Sequence, residues 1–172
     1  MTGIIVPSPL GEIAIAEEQA ALVYLDFAEA LPAGCVQGAN ALLEQAAGQL
    51  DQYFAGALTA FDVPLRLVGT DFQRRVWQAL LDIPYGETRT YGQIAAQVGA
   101  PKAARAVGGA NHVNPISIIV PCHRVIGAEG RMVGYGGGLW RKEALLQLER
   151  DNLVKAAASG YTIENSKGRE TK

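Results

Sequence analysis

Apolar positions along the chain follow two periods. Between residues 3 and 27 the short runs Gly3-Ile4-Ile5-Val6, Ile13-Ala14-Ile15-Ala16 and Leu22-Val23-Tyr24-Leu25 are parted by Pro, Gly and acidic residues. That spacing predicts a small antiparallel meander. Leu31 to Gly38 reads as a loop. From Asn40 the period changes: Leu42, Leu43, Ala46, Leu50, Tyr53 and Phe54 recur at helical spacing as far as Gly56. Val63 to Gly69 is a connector or edge strand, and a first domain, 1–68, is placed to end there. Thr70 with Gln73 has the capping-box spacing and opens a helix whose Phe72, Val76 and Leu80 share a face. Pro84-Tyr85-Gly86 turns the chain, and Thr90 with Gln93 repeats the box before Ile94, Ala95 and Val98, with Gly99 placed as the C-terminal cap. Pro101 sits where another helix begins, continued by Lys102 to Val107. Ile116 to Val120, rich in β-branched residues, reads as a buried strand ended by Pro121. Arg141 to Arg150 is a helix with Leu145, Leu146 and Leu148 inward and Glu149 one position beyond. Domain 69–151 thus holds the helices, and the polar segment 152–172 is expected to be disordered.

The 172 residues suffice for one domain or two small ones, and 49% hydrophobic with 19% charged residues is ordinary for a globular protein. No apolar run approaches the roughly 18 residues of a spanning helix, and the N-terminus lacks a basic stretch followed by an apolar one. A cytoplasmic protein with no membrane partner is the expectation. Cys35 and Cys122 are too far apart to read as a disulfide framework or a zinc set, and His112 and His123 are the only histidines, so neither a metal nor a cofactor is expected. The net charge of −2 hides an asymmetry. Residues 1–70 carry eight acidic side chains against Arg66 alone, and the remainder fourteen basic against nine acidic, a balance of −7 against +5. The second half can meet phosphate; the first is expected to face away from nucleic acid.

Chemistry concentrates after Pro121, where Cys122, His123 and Arg124 stand in succession. A thiol reacts as its thiolate, which a neighbouring base makes available near neutral pH. Adjacent residues of a strand point to opposite faces, so the pair works only if the chain bends after Pro121 or a water or third group links the side chains. A buried Cys with an unrelated His beside it is the competing reading. Two short helices parted by a few residues with a Gly make a helix-turn-helix, and the second offers small residues with one long cation, Arg105. Such a surface suits backbone and shape contact rather than a base-by-base code, although a packed helix with a solvated Arg has the same pattern. Gly134 to Gly138 around Tyr135 is a loop, either the wall of a pocket or a flexible turn.

Together these stretches are identified by their order and spacing: Ile83-Pro84-Tyr85-Gly86-Glu87, Thr90-Tyr91-Gly92-Gln93, Pro101 to Asn111, Asn114-Pro115, Pro121 to Gly127 and Gly134 to Leu139. They closely resemble the 6-O-alkylguanine DNA alkyltransferases, densely from Thr70 to Glu149 and in outline from Gly3 to Val68. The resemblance implies an α+β protein: a small N-terminal antiparallel sheet with a helix, ribonuclease H-like, then a helical domain with a winged helix-turn-helix. It implies repair of DNA by irreversible, single-turnover transfer of the alkyl group from O6-alkylguanine, with O4-alkylthymine as a further candidate lesion, to Cys122. A Glu149-His123-water-Cys122 chain activates the thiol, Tyr91 donates toward the base and rotates the nucleotide through its phosphate, and Asn114 braces the turn around the cysteine. Arg105 enters the base stack, with Thr90, Tyr91, Lys102 and Ala103 on the DNA, and Val125, Tyr135 and Gly136 line the base pocket. Arg124 is a structural ion-pair partner, and His112 is a loop residue without a role. The partner implied is double-stranded DNA bound by backbone and minor groove, by a monomer that cooperates on DNA in some readings. Rivals are an alkyltransferase-like protein that binds lesions without reacting, a Cys-His hydrolase, and a helix-turn-helix regulator.

Overall fold

Three strands, β1 (Thr2–Val6), β2 (Ile13–Glu18) and β3 (Ala21–Phe27), form the meander that the apolar spacing predicts, in a computed structural model that describes residues 1–160. Gln19 and Ala20 alone connect β2 to β3, both with left-handed φ, 54° and 59°, as a two-residue hairpin turn requires. The Leu31–Gly38 stretch is not all loop: β4 (Val36–Gln37) pairs parallel to β1, so the sheet is mixed, in the order β3-β2-β1-β4. Helix α1 (Ala41–Phe54) covers this sheet with Leu43, Ala46, Leu50 and Tyr53. Its cap Asn40 accepts from the Leu43 N–H at 3.0 Å and donates to Glu17 on β2 at 3.1 Å, so one side chain both starts the helix and ties it to the sheet.

Both predicted capping boxes form, at Thr70 before α2 (Asp71–Leu81) and at Thr90 before α3 (Tyr91–Gln97). The buried Trp77 of α2 donates to the Ala110 carbonyl at 2.8 Å and pins α2 against α4 (Ala104–His112). Helix α4 starts later than the sequence predicts, because Pro101 and Lys102 form a turn closed by Ala103 N–H to Ala100 O at 2.8 Å. It also runs on through Asn111 to His112, which is therefore a helical residue rather than part of a loop. Strand β5 (Arg89–Thr90) pairs parallel with β6 (Val125–Ile126) beside these helices.

Two further expectations fail. Ile116 to Val120 is not a strand; it makes one bridge, Leu25 with Ile116, and then turns. Ile118 has φ of 71° and Ile119 N–H reaches Ser117 O at 2.8 Å, a γ-turn of the rare positive-φ kind. Pro121, at φ −82° and ψ 65°, centres an inverse γ-turn closed by Cys122 N–H to Val120 O, also at 2.8 Å. The second failure is at the C-terminal end, where α5 (Leu139–Ala158) runs seven residues into the segment expected to be disordered. Asn152 donates to the Tyr85 hydroxyl at 2.9 Å and Leu153 packs against Gly86, so tertiary contacts hold that turn of helix. The rest of the expectation, over 161–172, lies outside the described residues. One cluster of buried side chains runs through both halves, from Ile13 and Ile15 through Tyr53 and Trp77 to Val120, Val125 and Leu145.

Candidate active site

The two γ-turns deliver the chain into a single 3-10 turn, Cys122–Arg124. Successive side chains of a 3-10 turn are about 120° apart rather than opposed. That is the bend the strand geometry lacked. Asn114 spans the loop from inside: its Nδ2 donates to Val120 O at 2.8 Å and its Oδ1 accepts from Ile116 N–H at 3.1 Å. Asn111, at the end of α4, donates to the Cys122 carbonyl at 3.3 Å.

Behind the cysteine lies a buried carboxylate, Glu149 of α5, whose two oxygens are filled from three segments of the chain. Oε2 accepts from Tyr53 OH at 2.6 Å, from Arg124 Nη2 at 3.1 Å and from His123 Nε2 at 2.7 Å. Oε1 accepts from Arg124 Nε at 2.8 Å and from the Gly86 N–H at 3.0 Å. Gly86 occupies the left-handed corner of the Pro84–Glu87 turn at φ 78°, and a side chain there would strike Leu153. Burial alone would raise the Glu149 carboxyl, but His123 and the bidentate Arg124 outweigh it and hold it well below the usual carboxylate range. Burial pushes His123 down, against the pull of Glu149. The imidazole is therefore neutral at pH 7, with its proton on Nε2 facing the carboxylate. Nδ1, also buried, has no hydrogen-bond partner among the described residues. Arg124 Nη1 donates to Ile83 O at 2.8 Å.

Cys122 is 4% exposed, and its thiol is pushed up to about 11, chiefly by burial. Asn114, Ser117 and Lys142 favour the thiolate; Asp26 opposes it. In front of it stand Tyr91, the first residue of α3, and the glycine loop. Tyr91 OH donates to Val133 O at 3.2 Å, and Lys142 Nζ donates to Val133 O at 2.7 Å and Gly134 O at 3.2 Å, so both tie the loop down. Tyr91, Gly108, Asn111, His112, Gly134, Tyr135 and Gly136 enclose a cavity of about 30 Å³. Val125 is buried in β6, directly after the 3-10 turn, and the buried Tyr135 hydroxyl has no partner among the described residues.

The remaining candidates lie on α3, α4 and the turn between them. Thr90 caps α3, Ala103 precedes α4 without a side-chain cap, and Lys102 and Arg105 are exposed. The structure thus brings together Cys122, His123, Glu149, Asn114, Tyr91, Val125, Tyr135 and Gly136, and sets Arg105, Lys102, Ala103 and Thr90 apart on the helix-turn-helix.

Three participants escaped the sequence reading. Tyr53 and Asp26 belong to the half taken for scaffold alone, and Lys142 is fully buried, with burial drawing its ammonium down to about 8 against the pull of Cys122. A signal for Lys142 existed: it falls on the same helical face as Leu145, Leu146 and Glu149, where a charge is out of place.

Residues 71–151 match the family described as 6-O-methylguanine DNA methyltransferase, DNA binding domain, and residues 3–67 its ribonuclease-like domain. The methylated-DNA–protein-cysteine methyltransferase of Mycobacterium leprae is 66% identical over 115 residues, 67% of this chain and 70% of that protein. The protein of that name from Methanosarcina barkeri is 50% identical over 154 residues, covering 87% of this chain and 97% of its own length. Among solved structures, Mycobacterium tuberculosis OGT in complex with DNA superposes with a TM-score of 0.84 at 54% identity, over 88% of this chain and 94% of that one.

Proposed function

The chain belongs to the 6-O-methylguanine DNA methyltransferase family, and we propose that it repairs DNA by moving the alkyl group of O6-alkylguanine irreversibly onto Cys122. With the thiol at about 11, only about one molecule in 10,000 carries a thiolate at pH 7. The proton must therefore leave as the reaction proceeds. It passes through a bridging water to Nδ1 of His123, unpaired among the described residues, while Glu149 holds Nε2 and steadies the imidazolium that forms. The sulfur attacks the alkyl carbon; the S–C bond forms, the C–O bond breaks, and its electron pair goes to the base oxygen. Tyr91, whose hydroxyl in the resting protein is on Val133 O, turns its donor toward the leaving base, which takes up a proton as guanine. The product is a thioether with no carbonyl for water to attack, so each molecule acts once.

A base inside a duplex must be flipped out to reach a buried sulfur. Arg105, exposed in the first turn of α4, fills the gap in the stack, and Thr90, Tyr91, Lys102 and Ala103 receive the backbone from the minor-groove side. Val125, Tyr135 and Gly136 receive the base. A cavity of about 30 Å³ holds a water but not a purine. Base entry therefore displaces the Val133–Gly138 segment from the bonds that Tyr91 and Lys142 make to Val133 O and Gly134 O.

The buried Nδ1 of His123, unpaired among the described residues and one position along the 3-10 turn from the buried Cys122, is the observation that carries this proposal. Intact mass after mixing with excess duplex containing O6-methylguanine, followed by peptide mapping, tests it. One added methyl on Cys122, with a plateau at one per protein, is expected. Unmodified protein that retains the duplex would mean a lesion-binding protein or a regulator instead, and release of free product beyond one equivalent would mean a hydrolase.

A further inference from the structure

Four buried polar side-chain atoms lack a hydrogen-bond partner among the described residues, and two of them, Asn111 Oδ1 and Tyr135 OH, belong to residues that line the small cavity beside Tyr91. A polar atom left unmet in the interior is costly, and two around one cavity mark a place built to receive a polar ligand. Asn111 lies in the last turn of α4, one turn on from Gly108, and both residues line the same wall of the cavity. Its Nδ2 donates to the Cys122 carbonyl at 3.3 Å. A carbonyl only accepts, so this bond fixes which way the amide faces: turned over, Oδ1 would meet another oxygen. The side chain is buried, and Oδ1 is closed off from bulk water.

We propose that Asn111 is a specificity-determining residue of the base pocket, whose Oδ1 accepts a hydrogen bond from the exocyclic 2-amino group of the alkylated guanine. This rests on the reading that Cys122 takes its alkyl group from O6-alkylguanine. The choice of the 2-amino group follows from the chemistry of the lesion. Alkylation at O6 leaves N1 without a proton, and N9 carries the sugar, so the 2-amino group holds the only N–H bonds of the base. An amide oxygen has no proton to give and can pair with nothing else on it. The Tyr135 hydroxyl, which can donate, suits a ring nitrogen.

The bond to Cys122 O gives this contact a second consequence. One amide meets the backbone of the nucleophile through Nδ2 and the base through Oδ1, so a base seated on Asn111 is held at a set distance from the residue that attacks it. A base without the 2-amino group fills the pocket, excludes water and leaves Oδ1 buried without a donor. Such a base is disfavoured.

The test compares single-turnover methyl transfer from duplexes carrying O6-methylguanine or O6-methylhypoxanthine, which differ only in the 2-amino group, in wild type, Asn111→Leu and Asn111→Asp. Wild type is expected to favour the guanine by about tenfold. Asn111→Leu occupies similar space without an acceptor and is expected to bring the ratio toward one. Asn111→Asp keeps an acceptor while losing the donor to Cys122 O, and is expected to keep the preference. If Asn111 only braced the cysteine through that carbonyl, both variants would slow the two lesions alike and leave the ratio at its wild-type value. That result, or a wild-type ratio of one, overturns the proposal. With Cys122→Ser in place, the dissociation constants of the two duplexes give the same comparison. Absence of methyl transfer would therefore refute the reaction, while the contact to the 2-amino group would still be decided by binding.

Discussion

Glu149 shows how much a single side chain can organise. Five hydrogen bonds converge on it, and its partners come from α1, the Pro84–Glu87 turn and the 3-10 turn. Glu149→Gln keeps the volume and removes the charge. Arg124, 7% exposed, would then be a buried cation without an anion, and breaking such a pair costs about 3–5 kcal/mol. His123 would also lose the acceptor that fixes its tautomer, so the rate of methyl transfer should fall by about 100-fold or more. Tyr53→Phe removes one bond to a charged acceptor, about 1.5–3 kcal/mol, and leaves His123 and Arg124 in place. Urea unfolding and single-turnover transfer should rank the two variants in that order; a Tyr53→Phe loss as large as Glu149→Gln would mean the charge is not the organising feature. Cys122, His123 and Glu149 were legible through motif spacing. Tyr53 was legible only as a core position of α1, since nothing in a helical period reveals that its hydroxyl meets a carboxylate 96 residues away.

At the scale of elements the two capping boxes were readable because their bonds span three residues. The Ile116–Val120 turn was not, because its composition argues for a strand. Positive φ at the β-branched Ile118 costs about 1–3 kcal/mol. Burying Ile116, Ile118, Ile119 and Val120 returns about 1.5–3 kcal/mol each, so the fold tolerates the strain where the turn drives all four inward. What selects the turn over a strand is Asn114, which supplies a donor and an acceptor inside it. Asn114→Ala leaves the Ile116 N–H and one lone pair of Val120 O without their partner, at about 1–3 kcal/mol for each group. Asn114→Asp can still accept from Ile116 but cannot donate to Val120. Both should slow transfer to Cys122, with Asn114→Ala the less stable in thermal melts if the Ile116 bond matters most. Equal transfer rates in wild type and Asn114→Ala would show that the two γ-turns hold the cysteine unaided. The last turns of α5 escaped the sequence for a related reason: Asn152 and Leu153 look like the start of a polar tail until Tyr85 and Gly86 are seen against them.

For the whole molecule, the buried titratable groups make acid stability a readout of the site. His123 is lowered in the folded protein from an ordinary value near 6.5, so below about pH 6.5 the unfolded chain binds the proton first and stability begins to fall. Glu149 is also lowered. The stability it contributes is complete above the ordinary carboxylate value of about 4.3 and is lost as pH falls through that value toward the folded one. Both slopes have the same sign, and they are offset by about two pH units. The urea midpoint should therefore decline in two stages, the first beginning near pH 6.5 and the steeper below about pH 4. Removing the carboxylate separates them. Glu149→Gln should start from a lower midpoint at pH 7 and lose the second stage, since the group that would have taken up the proton is gone. Midpoints followed by circular dichroism from pH 3 to 8 give the comparison. If the second stage persisted unchanged in Glu149→Gln, acid sensitivity would belong to the exposed acidic side chains of residues 1–70, and the carboxylate that joins α1, α2's trailing turn and the reactive cysteine would contribute packing rather than charge.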